Sequence, residues 1–275
     1  MSSSPGRIGV FDSGYGGLTI LKEMKRILPD YDYLYLGDNA RAPYGSRSFD
    51  IVFDFTRQAV EELFRRGCHL VILACNTASA KALRSIQQHV LPVSYPHRRV
   101  LGVIRPTVEA VGEISRSRHV ALLATPGTVR SHSYQLEIAK LYPDMHITET
   151  ACPMWVPLVE NGEASGDGAD FFVKKYIRQT LDADPDIDTL LLGCTHYPIL
   201  LPKIRKYVPD SVTVLPQGEI VGRSLADYLS RHPEIDQLCS KSGSVNFLTT
   251  ETPEQFDSLA SLFMEGQVNS MRITL

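Results

Sequence analysis

The sequence predicts an α/β protein built as two pseudo-symmetric, doubly wound parallel-sheet domains facing each other across a cleft. Three observations predict it. Short apolar runs alternate with amphipathic stretches along the chain, as the strand–helix–strand units of a parallel sheet do. Several runs end in small, polar or reactive residues just where a helix begins, the edge at which open α/β sheets bind ligands. These strand-end features then recur. Asp12 and Thr125 lie 113 residues apart, Pro43 and Pro157 114, and Cys75 and Cys194 119, a near-constant spacing of the kind a duplicated unit produces.

Residues 7–11 read as a buried strand running into Asp12-Ser13-Gly14-Tyr15-Gly16-Gly17. Leu18, Leu21, Met24 and Leu28 then share one face of a helix that Pro29 stops. A second strand at 33–36 opens into the loop Gly37-Asp38-Asn39-Ala40-Arg41-Ala42-Pro43-Tyr44-Gly45, and a helix over 49–66 ends at Gly67. Strand 69–74 ends in Cys75-Asn76-Thr77, and an alanine-rich helix runs on towards Gln88. The pattern restarts with strands at 100–104 and 120–124, the second ending in Thr125-Pro126-Gly127-Thr128. Residues 146–149 lead into Cys152-Pro153-Met154-Trp155-Val156-Pro157-Leu158-Val159-Glu160, then a Gly/Asp-rich loop at 161–168 and a helix at 169–181. Leu190-Leu191-Leu192 ends in Gly193-Cys194-Thr195-His196-Tyr197, and Pro198 suits the first turn of a helix. Strands at 212–215 and 244–248 and helices near 219–230 and 253–265 complete the reading.

Composition narrows the function. The chain has 275 residues, 43% hydrophobic and 21% charged, with a net charge of −3, which is ordinary globular composition. Its Lys and Arg are scattered, so neither a nucleic-acid surface nor a membrane surface is indicated. No apolar run approaches the ~18 residues that span a bilayer. The start, residues 1–6, lacks an apolar signal core and is expected to fray. Five cysteines, at 68, 75, 152, 194 and 239, form an odd set with no paired spacing. Reduced thiols in a cytoplasmic protein are expected.

Two of those thiols sit where chemistry is done. Cys75 and Cys194 each end an apolar strand and precede a helix, where the dipole and free N–H groups lower a thiol's pKa. Asn76, Thr77, Thr195, Ser13 and Tyr44 are donors within reach of the same edges. The bland alternative is a small buried hydrophobe, and this reading is accepted for Cys68, Cys152 and Cys239. Cys194-x-His196 could be half a metal site, but zinc wants three or four ligands and no second pair lies nearby, so no metal is expected. A Cys–His nucleophile is a third reading, and it leaves Cys75 unexplained. Asp12 and Ser13 occupy a glycine-rich turn without G-K-[ST] or G-x-G-x-x-G, so a nucleotide is not indicated. Asp12 either caps the following helix or serves an amine or a neighbouring base. Glu160 and His196 each read equally as solvated or locally bonded groups. Two thiols on either side of one carbon would have a specific use. One thiolate removes a proton from one face and the other thiol delivers one to the opposite face, inverting a stereocentre without a cofactor.

The motifs Phe11-Asp12-Ser13-Gly14-x-Gly16-Gly17-Leu18, Gly37-Asp38-x-x-x-x-Pro43-Tyr44-Gly45, Ala74-Cys75-Asn76-Thr77-Ala78, Pro153-x-x-Val156-Pro157-Leu158-Val159-Glu160 and Leu192-Gly193-Cys194-Thr195-His196-Tyr197-Pro198 span essentially the whole chain. Together they resemble the glutamate racemases of the aspartate/glutamate racemase superfamily. The resemblance implies cofactor-independent interconversion of L- and D-glutamate, supplying D-glutamate for peptidoglycan, by a cytoplasmic homodimer. It implies Cys75 and Cys194 as acid/base residues, assisted by Asp12, His196 and Glu160, with Glu163 a second candidate for the assisting carboxylate. Substrate contacts are implied for Asp12, Ser13, Pro43, Tyr44, Gly45, Asn76, Thr77, Thr195 and His196, with Thr125 and Thr128 further candidates. It also implies that the C-terminal segment returns to the first domain, giving domains of 1–99 plus 210–275 and of 100–209. One departure stands out: Arg105 precedes Pro106 where the family usually has a Glu. Its segment reads as a domain link, so an effect on domain contact or regulation is expected. Competing readings are a racemase or decarboxylase of another small acid such as aspartate, and a non-catalytic carboxylate-binding protein. A pyridoxal-phosphate racemase would need a Schiff-base lysine and a phosphate cradle, and neither is visible.

Overall fold

A strand that is buried along its whole length belongs in the middle of a sheet covered on both faces. Four such strands set this architecture. In the computed structural model, which describes residues 4–264 and 266–275, β1 (Ile8–Asp12), β2 (Tyr33–Gly37) and β3 (Leu70–Leu73) are buried at every residue. So is β7 (Thr189–Gly193).

The chain divides into two compact units. The first comprises Met1–Val103 and Gly218–Leu275. With β4 (Arg99–Gly102), β9 (Val245–Thr249) and β10 (Ser270–Arg272), its six strands run in the order β10-β9-β2-β1-β3-β4. Every neighbouring pair is parallel, with Phe11 in register with Leu36 on one side and Leu73 on the other. The second unit is Ile104–Gln217. There β5 (His119–Ala124), β6 (His146–Ala151), β7 and β8 (Thr213–Leu215) run in the order β6-β5-β7-β8, again all parallel. Because β8 pairs with β7, the second unit extends to Gln217.

Each sheet has one strand with its successor on one side and the next strand on the other: β1 between β2 and β3, β5 between β6 and β7. That reversal is the topological switch point at which open sheets bind ligands. Asp12 ends β1 and Cys75 follows β3; Thr125 follows β5 and Cys194 follows β7. The recurrence in the sequence is therefore one position, occupied twice.

Helix Leu18–Ile27 buries Leu18, Ile20, Leu21 and Met24 and packs along helix Gly218–Arg231, which brings the returning segment onto the first unit. Asp32 at the start of β2 accepts hydrogen bonds from the N–H and hydroxyl of both Ser242 and Ser244, 2.6–3.1 Å away. This fixes the approach to β9.

The described part of the start is held rather than frayed. Gly6 bridges to Cys239, donates to the Leu238 carbonyl at 2.8 Å, and lies near Ser4, whose carbonyl is 3.2 Å from His69 Nε2. Residues 1–3 of that expectation, and Glu265 at the end of the expected last helix, lie outside the described residues. The strand expected over 100–104 stops at Gly102, and Ile104 opens helix Ile104–Ile114. The helix expected from Pro198 is a short helical turn, Tyr197–Leu200, that runs into helix Leu201–Tyr207, whereas helix Ser133–Leu141 and the edge strand β10 are additional to the reading. Among the described residues no helix is long and apolar enough to cross a membrane.

Candidate active site

In the first unit Cys75 caps helix Asn76–Lys81. Its backbone is extended (φ −86°, ψ 124°), and its sulfur accepts the Ala78 N–H at 3.4 Å. One of the helix's free donors is thereby turned onto the sulfur, at the end where negative charge is stabilised. The parallel pairing of β1 with β3 brings Ser13 to the same place, its Oγ 3.3 Å from Cys75 Sγ. Asp12 is buried beside them, and one carboxylate oxygen accepts the Gly14 N–H at 2.9 Å. Gly17 provides the room, since a Cβ there would lie 2.6 Å from Asp12 Cβ. Asn76 and Thr77 are buried on the first turn after the cysteine.

The loop after β2 is organised by a residue to which the sequence reading gave no role. Asp38 is fully buried and accepts the Tyr44 hydroxyl, Arg41 Nε at 2.7 Å and the Thr250 hydroxyl at 2.9 Å. Arg41 also donates to Gln58 Oε1 at 2.6 Å. Burial, and then the Asp38 charge, push the Tyr44 hydroxyl far above its ordinary pKa, so it stays a neutral donor with Asp38 as its partner. Pro43, after a cis peptide, is exposed, and Gly45 is half-buried. The N–H groups of Tyr44 and Gly45 donate to no protein acceptor among the described residues. An acidic residue directly after an all-apolar strand was the available signal for Asp38. Thr250, 212 residues away, had none.

In the second unit Cys194, Thr195 and His196 are all buried at the end of β7. Cys194 Sγ lies 3.8 Å from His196 Nδ1, and His196 Nε2 lies 3.0 Å from Glu160 Oε1. Burial works against an imidazolium here, but the hydrogen bonds to Cys194 and Glu160 outweigh it and raise the His196 pKa to about 10. The shift favours the protonated imidazole, which can donate to the Cys194 sulfur on one side and to the Glu160 carboxylate on the other. Of the two candidate glutamates, Glu160 makes this contact, from the end of helix Trp155–Glu160. Glu163 lies in the turn beyond, its N–H on the Leu158 carbonyl at 2.8 Å. Thr125 caps helix Pro126–Ser131 by accepting the Thr128 N–H at 3.4 Å, and the two hydroxyls are 3.1 Å apart.

Cys194 and His196 belong to no group of three metal-ligand side chains among the described residues; the one such group, His119, Asp184 and Asp186, lies at the opposite edge of that sheet. No disulfide joins any of the five cysteines, and all five are buried. Burial raises the Cys68 and Cys239 thiols to about 12 and holds Cys152 well above the ordinary value, so these three stay protonated. Arg105, the departure noted above, pairs within its own unit, with Glu109 at 2.9 Å and Glu137 at 3.2 Å.

The structure thus places the predicted residues in two groups. Asp12, Ser13, Cys75, Asn76 and Thr77 gather at one switch point, with Pro43, Tyr44 and Gly45 on the loop after the neighbouring strand. Cys194, Thr195, His196 and Glu160 gather at the other, with Thr125 ending the adjacent strand. Residues 8–220 match the family model described as Asp/Glu/Hydantoin racemase. The chain is 41% identical over 271 residues to a glutamate racemase of Ruegeria pomeroyi, covering 95% of this chain and 97% of that one. Among solved structures it is similar to a glutamate racemase isoform from Bacillus anthracis (31% identity, TM-score 0.89). It is also similar to a Francisella tularensis glutamate racemase in complex with D-glutamate (32% identity, TM-score 0.86). Each comparison covers 98% of both chains.

Proposed function

The chain belongs to the Asp/Glu/hydantoin racemase family, and from that premise we propose that it interconverts L- and D-glutamate with no cofactor, through two thiols that exchange protons at the α-carbon. The observation that carries this reading is a cysteine at the switch point of each of two alike sheets. One thiolate takes the α-proton while the other thiol gives a proton to the opposite face. The product is the enantiomer, and the two sulfurs have exchanged protonation states. Asp12 and Ser13 assist Cys75, and the His196–Glu160 pair assists Cys194. The charge developing on the substrate needs donors that are already in place. Asn76, Thr77 and Thr195 supply them, with Thr125 at the neighbouring strand end. Tyr44 serves through its backbone, because its hydroxyl is engaged by Asp38. Its N–H and that of Gly45 suit a carboxylate, with Pro43 bounding the loop.

The product supplies peptidoglycan synthesis, the family's role. Five buried cysteines without a disulfide among them suit the reducing cytoplasm as its location. A homodimer is the assembly proposed with this reading, checked by light scattering. The test of the chemistry is direct. Purified protein incubated with L-glutamate in D₂O should exchange the α-proton and lose optical rotation without added cofactor. Cys75→Ser and Cys194→Ser should each abolish racemisation, with unequal residual exchange from the two enantiomers. Undiminished racemisation in either variant would sink the two-thiol assignment. Turnover of aspartate but not glutamate would sink the substrate alone.

A further inference from the structure

Lys81 closes the helix that Cys75 opens, and it is only 7% exposed. An ammonium group is rarely buried without partners that repay its lost hydration. Its Nζ donates to the Arg47 carbonyl oxygen at 2.6 Å. Arg47 ends the turn that Tyr44 begins, its N–H donating to the Tyr44 carbonyl at 3.1 Å. Its guanidinium reaches back past Pro43 to the Arg41 carbonyl at 3.3 Å. The near end of this turn is fixed separately, by the Tyr44 hydroxyl on Asp38. The far end is therefore tied, through Lys81, to the helix whose first turn carries Asn76 and Thr77. The bond goes to a backbone carbonyl, so it sets where the chain runs.

We propose that Lys81 is a positioning residue for glutamate: it holds the Tyr44–Arg47 turn in fixed register with the Cys75 helix, so that the segments meeting the two ends of the substrate act as one rigid piece. The proposal rests on the glutamate reading above. A slack turn still lets the thiols work once the substrate is seated, so the loss falls on binding, shared by ground state and transition state.

The test is Lys81→Met, which keeps the stem and removes the donor, beside Lys81→Arg, which restores a donor. In K81M the KM for both enantiomers should rise about tenfold with kcat changed by less than about threefold, and K81R should recover most of the rise. Amide hydrogen exchange in residues 44–48 should also accelerate in K81M. If K81M does not fold, Lys81→Gln, whose donor is too short to reach, carries the same expectations. An unchanged KM would overturn the proposal, as would a fall in kcat at constant KM. Failure of the parent protein to racemise glutamate would count against the substrate reading, while the exchange rates would still decide whether Lys81 holds the turn.

Discussion

At Cys194 the sulfur lies 3.8 Å from an imidazole that is itself bonded to Glu160, whereas Cys75 meets the Ser13 hydroxyl and the Ala78 N–H. The two thiols are thus served by different chemistry. His196 is the residue to test. Its pKa is raised from 6.5 to about 10 in the folded protein, so the folded state holds the proton more tightly than the unfolded one. The stability this contributes is fully present below pH 6.5 and is lost as pH rises through about 10. His196→Asn should flatten that fall in Tm between the two values, seen by calorimetry across pH. It should also lower kcat by about a hundredfold or more. The pairing itself was half legible. His196 and Cys194 are two residues apart in sequence, but whether Glu160 or Glu163 reached them depended on where helix Trp155–Glu160 stops. Asp38 was in plain view, yet its partners Arg41, Tyr44 and Thr250 come together only through folding.

Among elements, the apolar runs at the heart of the buried strands were the clearest text. β1, β2, β3 and β7 are buried at every residue, and a run with no polar face fits only a sheet interior. The three-residue β10 was not legible, because two of its residues face water and no periodicity develops over that length. Helix Ser133–Leu141 was missed because its apolar face is broken, with Leu136 half exposed beside buried Tyr134 and Ile138. The turn joining β1 to helix Leu18–Ile27 carries an element-scale prediction. Gly17 has an ordinary helical φ of −59°, so space rather than conformation demands glycine. In Gly17→Ala the new methyl would stand 2.6 Å from Asp12 Cβ and 3.0 Å from Ala74 Cβ. Relieving that clash should cost about 1–3 kcal/mol in denaturant unfolding. It should also shift Asp12 against Cys75, so kcat should fall more than the fraction folded does.

Over the whole molecule, the chain leaves the first unit after Val103 and returns at Gly218. The second unit is one continuous stretch with its own fully buried core, including Leu122, Leu123, Leu191, Tyr134 and Trp155. Residues 104–217 expressed alone should therefore fold, giving a cooperative melt by circular dichroism. Residues 1–103 alone should aggregate. Without β9, the edge of β2 loses a five-residue parallel partner and stands open. Arg105, which invited a regulatory reading from sequence, is spent on Glu109 and Glu137 within the second unit.

The sequence by itself determined the fold class, the doubled strand-end pattern, the two cysteines worth following and the family. Apolar runs, glycine turns and capping residues act locally and leave their mark in the order of residues. Only the tertiary structure decided that the doubled pattern falls at equivalent switch points and that Tyr44 gives its hydroxyl to Asp38. It alone decided that Glu160 rather than Glu163 meets His196, and that Lys81 is buried against the Arg47 carbonyl. Each of these depends on which side chains the sheet pairing brings together, and no local pattern records a contact made across 34, 36 or 212 residues.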